Sequence, residues 1–383
     1  MAKQTWQKKF LNEIMKQSNL RKNEFSDAPF WLSKDKIELL PKSLVKFFSP
    51  NIYSFLSLNN KSLYFATPSS FNDPYDCYLG ANNEEYVKKY LLKYIEDNSF
   101  IEERIITEDE RNRLSESRAF DSGDYYNIYE SFSSAFNSIV LSKEEEKQNK
   151  LRLAKIIANR NFEYTIKNLR NNNIRVCCFS EMSKNELASH VEMWSHYADN
   201  HKGFCVEYDI ARFKEDCQNY YSEPRDSENY QYYEKQMLNM SIFAGIFPCL
   251  YNSQMIKITT SQLLNKKDTQ EKRNRERNRL MKTFLTKYSK WNYENEWRVV
   301  LSSKLLEKYG FALPFPYIKA IYLGSRIEKH YKEAILNIAK REEIKAYTSS
   351  LSHNRYELEF YPIDIDFYFK YKDLIDLEGY KYK

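Results

Sequence analysis

The residues best suited to chemistry lie in three short segments. Lys290 to Leu301 reads Lys-Trp-Asn-Tyr-Glu-Asn-Glu-Trp-Arg-Val-Val-Leu. As a strand, its period of two puts Glu294, Glu296 and Arg298 on one face and Tyr293, Asn295 and Trp297 on the other. The aromatics around them suggest that both faces are covered. Partly buried paired glutamates have displaced proton affinities, which suits acid–base work or stabilisation of a cationic transition state. The same pattern also describes a solvated strand face whose Arg–Glu pair is worth under ~1 kcal/mol, and these residues alone leave the two readings open.

The second segment, Ser62 to Cys77, runs into a turn holding Asn72, Asp73, Pro74 and Asp76. Asn and Asp ahead of proline rigidify a turn through side-chain to backbone hydrogen bonds. Such a loop either reverses the chain or presents an amide and a carboxylate to a polar ligand. The third, Val176 to Ser183 with Glu186 to Tyr208, contains His190, His196 and His201. Read as one helix, Glu186 to Asn200 places His190, Trp194 and Tyr197 along one face with His201 following, and Glu192 and His196 along another. The spacing is not that of a zinc helix. Packed aromatics with hydrogen-bonded histidines, and no bound metal, are expected.

Positioning these segments requires strands and helices in alternation. Val, Ile, Phe and Tyr runs predict strands at Leu44–Phe48, Ser62–Thr67, Arg175–Ser180, Gly203–Asp209, Glu296–Ser302, Ile318–Leu323, Ile344–Tyr347 and Tyr356–Ile363. Helical periodicity marks Glu84–Asp97, Glu108–Leu114, Asp124–Leu141, Lys143–Arg170, Glu186–Asn200, Asn229–Phe243, Thr259–Thr286 and Lys329–Arg341. The expected architecture is α+β: one mixed sheet in a single domain over residues 44–363, with helical insertions at about 81–173 and 210–289, an N-terminal helical extension over 1–43 and a C-terminal tail over 364–383.

Composition narrows the function classes. With 42% hydrophobic and 29% charged residues and no long apolar stretch, the chain reads as globular, without a membrane span. A formal charge of +6 over 383 residues is too mild to argue for nucleic acid by itself. The local exception is the Lys266–Lys282 helix, where Arg273, Arg275, Arg277 and Arg279 could meet phosphates; a solvated helix face is the commoner meaning of such a run. Only 7 glycines, with neither G-x-G-x-x-G nor G-x-x-x-x-G-K-[ST], exclude the Rossmann and P-loop nucleotide cradles. The 6 cysteines show no C-x-x-C pair, and Met1 to Leu20 is amphipathic without the apolar core of a signal peptide, so a cytoplasmic protein is expected.

The three segments resemble the hallmark blocks of a large, mainly bacterial family called domain of unknown function 2971. The matching residues are Phe71-Asn-Asp-Pro-Tyr-Asp76, Cys178-Phe-Ser-Glu181, Met193-Trp-Ser-His-Tyr-Ala198, His201-Lys-Gly-Phe204 and Trp291-Asn-Tyr-Glu-Asn-Glu-Trp-Arg298. That family's layout is in turn similar to the ADP-ribosyltransferase core, a split sheet that grips NAD in a cleft. This second resemblance implies that an early strand meets the nicotinamide ribose, a middle element supplies Tyr or Ser, and a late strand supplies the catalytic Glu within E-x-E. Glu294-Asn295-Glu296 fits the last element, while Lys46 stands where His or Arg would. It implies Glu296 as stabiliser of a cationic ribose, Glu294 as proton acceptor, Arg298 or Lys46 on the pyrophosphate, Trp194 or Tyr197 stacking on a ring, and Asn72 and Asp73 in the same cleft.

The function implied is an NAD-using ADP-ribosyltransferase-like enzyme in a bacterial toxin or anti-phage setting, with a protein or nucleic-acid acceptor left open. The other classes are a non-catalytic nucleotide-binding or sensing module and a metal-dependent nuclease using Asp73, Asp76, Glu294 and Glu296.

Overall fold

Apolar alternation builds one large sheet, and the elements that present the three segments hang on it. The computed structural model describes residues 39–81, 83–97, 143–222, 230–258 and 280–379. In chain order these form β1 (Ser43–Phe48), α1 (Ile52–Asn59), β2 (Ser62–Tyr64), β3 (Gly80–Ala81), α2 (Asn83–Asp97), α3 (Lys143–Asn171), β4 (Ile174–Ser180), α4 (Lys184–Ser189), α5 (Val191–Tyr197), β5 (Phe204–Asp209), α6 (Ile210–Ser222) and α7 (Tyr230–Gly245). There follow β6 (Ile246–Pro248), β7 (Leu250–Asn252), β8 (Lys257–Ile258), β9 (Thr286–Tyr288), β10 (Glu296–Ser302), α8 (Ser303–Tyr309), β11 (Ala312–Pro314), β12 (Ile318–Leu323), α9 (Lys329–Arg341), β13 (Lys345–Leu351), β14 (Leu358–Pro362) and α10 (Ile365–Gly379).

The sheet has eight strands in the order β14-β13-β12-β5-β1-β4-β10-β6. Every neighbouring pair is antiparallel except β12–β13, which α9 connects. The fold is therefore a mixed α+β, as expected. Seven of the eight expected strands lie in this sheet; the eighth, β2, pairs with β11 instead. Among the strands of this sheet, β6 is the one that sequence reading misses, because three buried apolar residues following α7 look like the end of the helix.

Period-two burial explains why both sheet faces are covered. Leu44, Phe204, Val206, Tyr208, Trp297, Val299 and Ile321 join one apolar cluster, while Val45, Cys205, Ala320 and Tyr322 join another across the sheet. Helix α9 closes the first face with Ile335, Leu336, Ile338 and Ala339, the apolar stripe of an amphipathic helix. Tyr368 of α10 also enters that core, so residues beyond 364 are more than a tail.

Strand β1 is unevenly paired. It matches β5 at six positions, Ser43 opposite Asp209 through Phe48 opposite Phe204. It matches β4 at one position only, Val45 opposite Ser180. Beyond that point β4 turns its edge to Ala66 instead, which exchanges both backbone hydrogen bonds with Val176. The sheet is open between Lys46–Phe48 and Val176–Cys178.

The described residues divide into two compact units. One comprises residues 39–76, 173–254 and 285–379 and contains the sheet; the other is drawn from 77–172 and 255–284. Part of the expected second insertion thus belongs to the sheet unit, since α6, α7 and β6 lie before residue 255. In the second unit α2 and α3 pack through Val87, Leu91, Ala154 and Ala158, and β3 runs parallel to β8. The predicted helices Glu108–Leu114 and Asp124–Leu141, the arginines 273, 275, 277 and 279 and the first 38 residues lie outside the described residues.

The predicted helix Glu186–Asn200 is two helices. It breaks at His190, the C-cap of α4 and the N-cap of α5. A capping box of Ser183 and Glu186 starts the first, and the single histidine-bearing face does not exist. Among the described residues no helix is long and apolar enough to cross a membrane.

Candidate functional site

Residues Ser289–Glu294 form a 3₁₀ turn, and Asn295 then takes the left-handed conformation, φ 48°. Asparagine tolerates this region. Its side chain donates to the Glu181 carbonyl at 2.8 Å, and its own carbonyl accepts from Glu181 N–H at 2.9 Å. Strand β10 therefore begins at Glu296, and Glu294 stands on the turn. This corrects the placement of Glu294 on a strand face; only Glu296 and Arg298 share one.

The two carboxylates nevertheless converge, because one cation gathers them. Lys287 of β9 donates from Nζ to Glu294 Oε2 at 2.5 Å and to Glu296 Oε2 at 3.0 Å, and lies 3.6 Å from Asp76. Arg298 donates from Nε to Glu296 Oε1 at 2.7 Å and from Nη2 to Asp76 Oδ2 at 2.8 Å. Tyr197 of α5 donates its hydroxyl to Glu294 Oε1 at 2.5 Å. Trp291 covers the Lys287 ammonium at 5.1 Å. None of Asp76, Lys287, Glu294, Glu296 and Arg298 is more than 5% exposed.

Three carboxylates against two cations leave one negative charge in surplus, and the surplus falls on Glu294. Burial, then the charge of Glu296, raises its proton affinity to about 7, and the contacts from Lys287 and Tyr197 do not offset this. Glu296 goes the other way. Burial would raise its affinity too, but Arg298 and Lys287 outweigh that and hold it ionised well below the usual carboxylate range. For Lys287, burial is outweighed by Glu296, Glu294 and Asp76, so it stays a cation. A permanently charged glutamate thus sits beside one that exchanges a proton near neutrality, the separation of affinities that acid–base sites use.

The cluster is the floor of a cavity of about 1010 Å³ that occupies the opening between β1 and β4. Lys46, Asn72, Tyr197, Glu294 and Glu296 all line it. Lys46 spans the opening, donating from Nζ to the Cys178 carbonyl at 3.0 Å, and has no carboxylate at ion-pair distance among the described residues. Asn72 lies at the rim, its amide 3.4 Å from the Tyr197 hydroxyl.

Three predicted site residues do not line the cavity. Trp194 is fully buried, donates from Nε1 to the Leu187 carbonyl at 3.0 Å and meets Phe47 edge to face at 5.2 Å. It is core, because the break at His190 turns it inward, and His201 and Phe360 also lie against its ring. Asp73 spends Oδ1 on the Tyr75 N–H at 2.9 Å, stiffening the loop that carries Asn72 and Asp76. Arg298 is fully enclosed between Glu296 and Asp76, so it holds the cluster rather than a pyrophosphate. Lys287 is the participant that the sequence conceals: one lysine among many, in a three-residue strand with no local motif. Asp76 is visible as the last residue of the Phe71–Asp76 block, but its partners are not.

Among the described residues no group of three or more His, Cys, Asp or Glu is arranged to hold a metal ion. Residues 193–299 match the model of a family described as "Protein of unknown function (DUF2971)", which bears out the family resemblance over the stretch that includes Tyr197, Lys287, Glu294 and Glu296. No curated protein and no solved structure matches the chain.

Proposed function

We propose that this chain is an NAD-using enzyme of the ADP-ribosyltransferase kind. The observation that carries the reading is that Lys46 from the early strand, Tyr197 from the middle of the chain and the Glu294–Glu296 pair, from the late turn and the first residue of β10, line one cavity at an opening in the sheet. These are the three places from which the resemblance draws its site.

The roles follow from charge. When the bond between the ribose C1′ and the nicotinamide nitrogen breaks, nicotinamide leaves as a neutral base with the bonding pair, and positive charge builds on the sugar. Glu296, fixed and ionised by Arg298 and Lys287, supplies the opposing charge without reorganising. The acceptor's oxygen or nitrogen then bonds to C1′ and gives its proton to Glu294, whose affinity suits that transfer near neutral pH. Lys46 is the cation at the cavity free to meet the pyrophosphate, at the cost of its bond to the Cys178 carbonyl. The carboxylates that a nuclease would give to metal ions carry Lys287 and Arg298 instead.

Labelled NAD incubated with purified protein, with and without candidate acceptors, tests this. Released nicotinamide or a labelled macromolecule is expected, and Glu294→Gln should lower either by ~10²–10⁴, the usual worth of a positioned acid–base group. NAD that binds without turnover would leave a sensing module, and NAD that does not bind would sink the reading.

A further inference from the structure

Helix α1 sets Phe55 and Leu58 against the core, with Phe55 stacking on Phe204 at 6.0 Å, but also carries apolar side chains on its outer side. It buries Ser54 and Leu58, yet Ile52, Tyr53 and Leu56 are 63%, 78% and 47% exposed. Tyr53, Leu56, Ser57 and Asn60 fall at i, i+3, i+4 and i+7, one face of the helix, and all four line the cavity. Tyr64 of β2, 58% exposed, lines it too. Neither tyrosine ring stacks on another ring among the described residues. Water-facing apolar surface concentrated on a cavity wall marks a surface that a ligand covers.

The chemistry of this wall narrows the ligand. Two free aromatic faces offer stacking, and around them stand short polar side chains: Ser57, Ser62 and Asn60, whose amide oxygen already accepts from Asn59 at 3.1 Å while its NH₂ remains to donate. A flat ring with hydrogen-bonding edges fits both features, and a lipid or aliphatic chain would use only the first. The wall is continuous with the floor that carries Lys46 and the glutamates, as one bound dinucleotide would require. We propose that Tyr53 and Tyr64 form the stacking subsite for the purine ring of a nucleotide bound in this cavity, with Ser57, Asn60 and Ser62 hydrogen-bonding its edge. This rests on the nucleotide reading above and adds the base-recognition end of the site, whose α1 residues Tyr53, Ser57 and Asn60 lie outside the three family-like segments.

The experiment measures equilibrium binding of NAD, AMP and nicotinamide mononucleotide to the full chain and to Tyr53→Ala, Tyr64→Ala and the corresponding Phe variants. Each Ala variant should bind NAD and AMP about tenfold more weakly, bind nicotinamide mononucleotide as the wild type does, and melt at the wild-type temperature, since both rings are exposed. The Phe variants should restore affinity. Unchanged AMP and NAD binding in both Ala variants overturns the proposal and leaves the wall to a protein acceptor. Equal loss of all three ligands overturns it as well, by showing a general collapse of the cleft. If AMP binding depends on the tyrosines but NAD is never cleaved, the subsite stands and the transferase reading falls. If NAD is cleaved and the tyrosines are indifferent, only the subsite falls.

Discussion

Strand β1 has two unlike sides. Toward β5 it is zipped through six consecutive pairs; toward β4 it holds one pair and then a lysine side chain reaching across the opening. The zipped side is scaffold, with Gly203 packed so tightly that a Cβ there would sit 2.0 Å from the Phe48 carbonyl oxygen. The open side holds polar groups, cavity volume and a glutamate whose proton affinity is raised. A cavity needs surface that the fold leaves unpaired, and here that surface lies where the sheet is interrupted beside a continuous seam.

The largest effect should come from forcing open the zipped side. Gly203→Ala puts a methyl group against immovable backbone, and Gly324, whose N–H donates to the Gly203 carbonyl at 2.9 Å, shifts with it. A loss above about 3 kcal/mol is expected, at the upper end for overpacking, read as a fall in thermal midpoint or loss of soluble protein. A wild-type midpoint would show that the seam gives way more easily than its geometry implies.

On the open side, Glu296→Gln should be the next most damaging. It turns an amide NH₂ toward Lys287 or Arg298 and leaves a buried cationic donor short of an acceptor, which costs about 1–3 kcal/mol. Read from sequence alone, the Arg298–Glu296 pair on a solvated strand face is worth under ~1 kcal/mol, because Lys287 and Asp76 are not visible beside it. The measurement is denaturant unfolding at pH 7; a change under about 1 kcal/mol would mean that the network relaxes around an amide.

Much of the frame is legible in the amino-acid sequence. Short strands with clean alternation, such as Leu44–Phe48 and Gly203–Asp209, declare themselves because burial on both faces demands it. The site is legible in parts. Glu294, Glu296 and Asn72 stand in compact blocks, but a period of two does not foresee that Asn295 leaves the strand conformation. Trp194 is misplaced by sequence because a run of residues at helical spacing does not announce a break at a histidine cap. Lys287 and Tyr53 are hidden for one common reason: the fold brings each to the cavity from a distance, with nothing beside it in sequence to mark it.

The two glutamates make a comparison that pH resolves. Glu294 has a raised affinity when folded, so its favourable contribution is complete below about pH 4.5 and disappears as pH rises through about 7. Glu296 has a depressed one, so its contribution is present above the unfolded value and disappears as pH falls. Relative to Glu294→Gln, the wild type should therefore lose stability between about pH 4.5 and 7, by at most about 3 kcal/mol. In turnover the sign reverses: a proton acceptor must be ionised, so the rate should climb about tenfold per pH unit below about 7 and then level. A flat stability difference between wild type and variant would place the titrating proton elsewhere.

The smallest effect on folding should come from the residue that bridges the opening. Lys46→Met keeps most of the apolar stem and removes the ammonium, losing the bond to the Cys178 carbonyl and weak contacts with the Phe48 and Phe179 rings. That carbonyl borders a cavity large enough for water, and a lost hydrogen bond that water replaces costs about 1 kcal/mol or less. The thermal midpoint should hardly move. Ligand binding should respond differently, since Lys46 has no carboxylate partner among the described residues to neutralise it and its charge remains for an anion. NAD affinity should fall about tenfold or more and the salt dependence of binding should weaken, whereas adenosine, which lacks phosphate, should bind as before. Equal weakening of adenosine and NAD would make Lys46 a strut that keeps β1 and β4 at the right separation. Weakening confined to the phosphate-bearing ligand would show that the break in the sheet exists to admit that group.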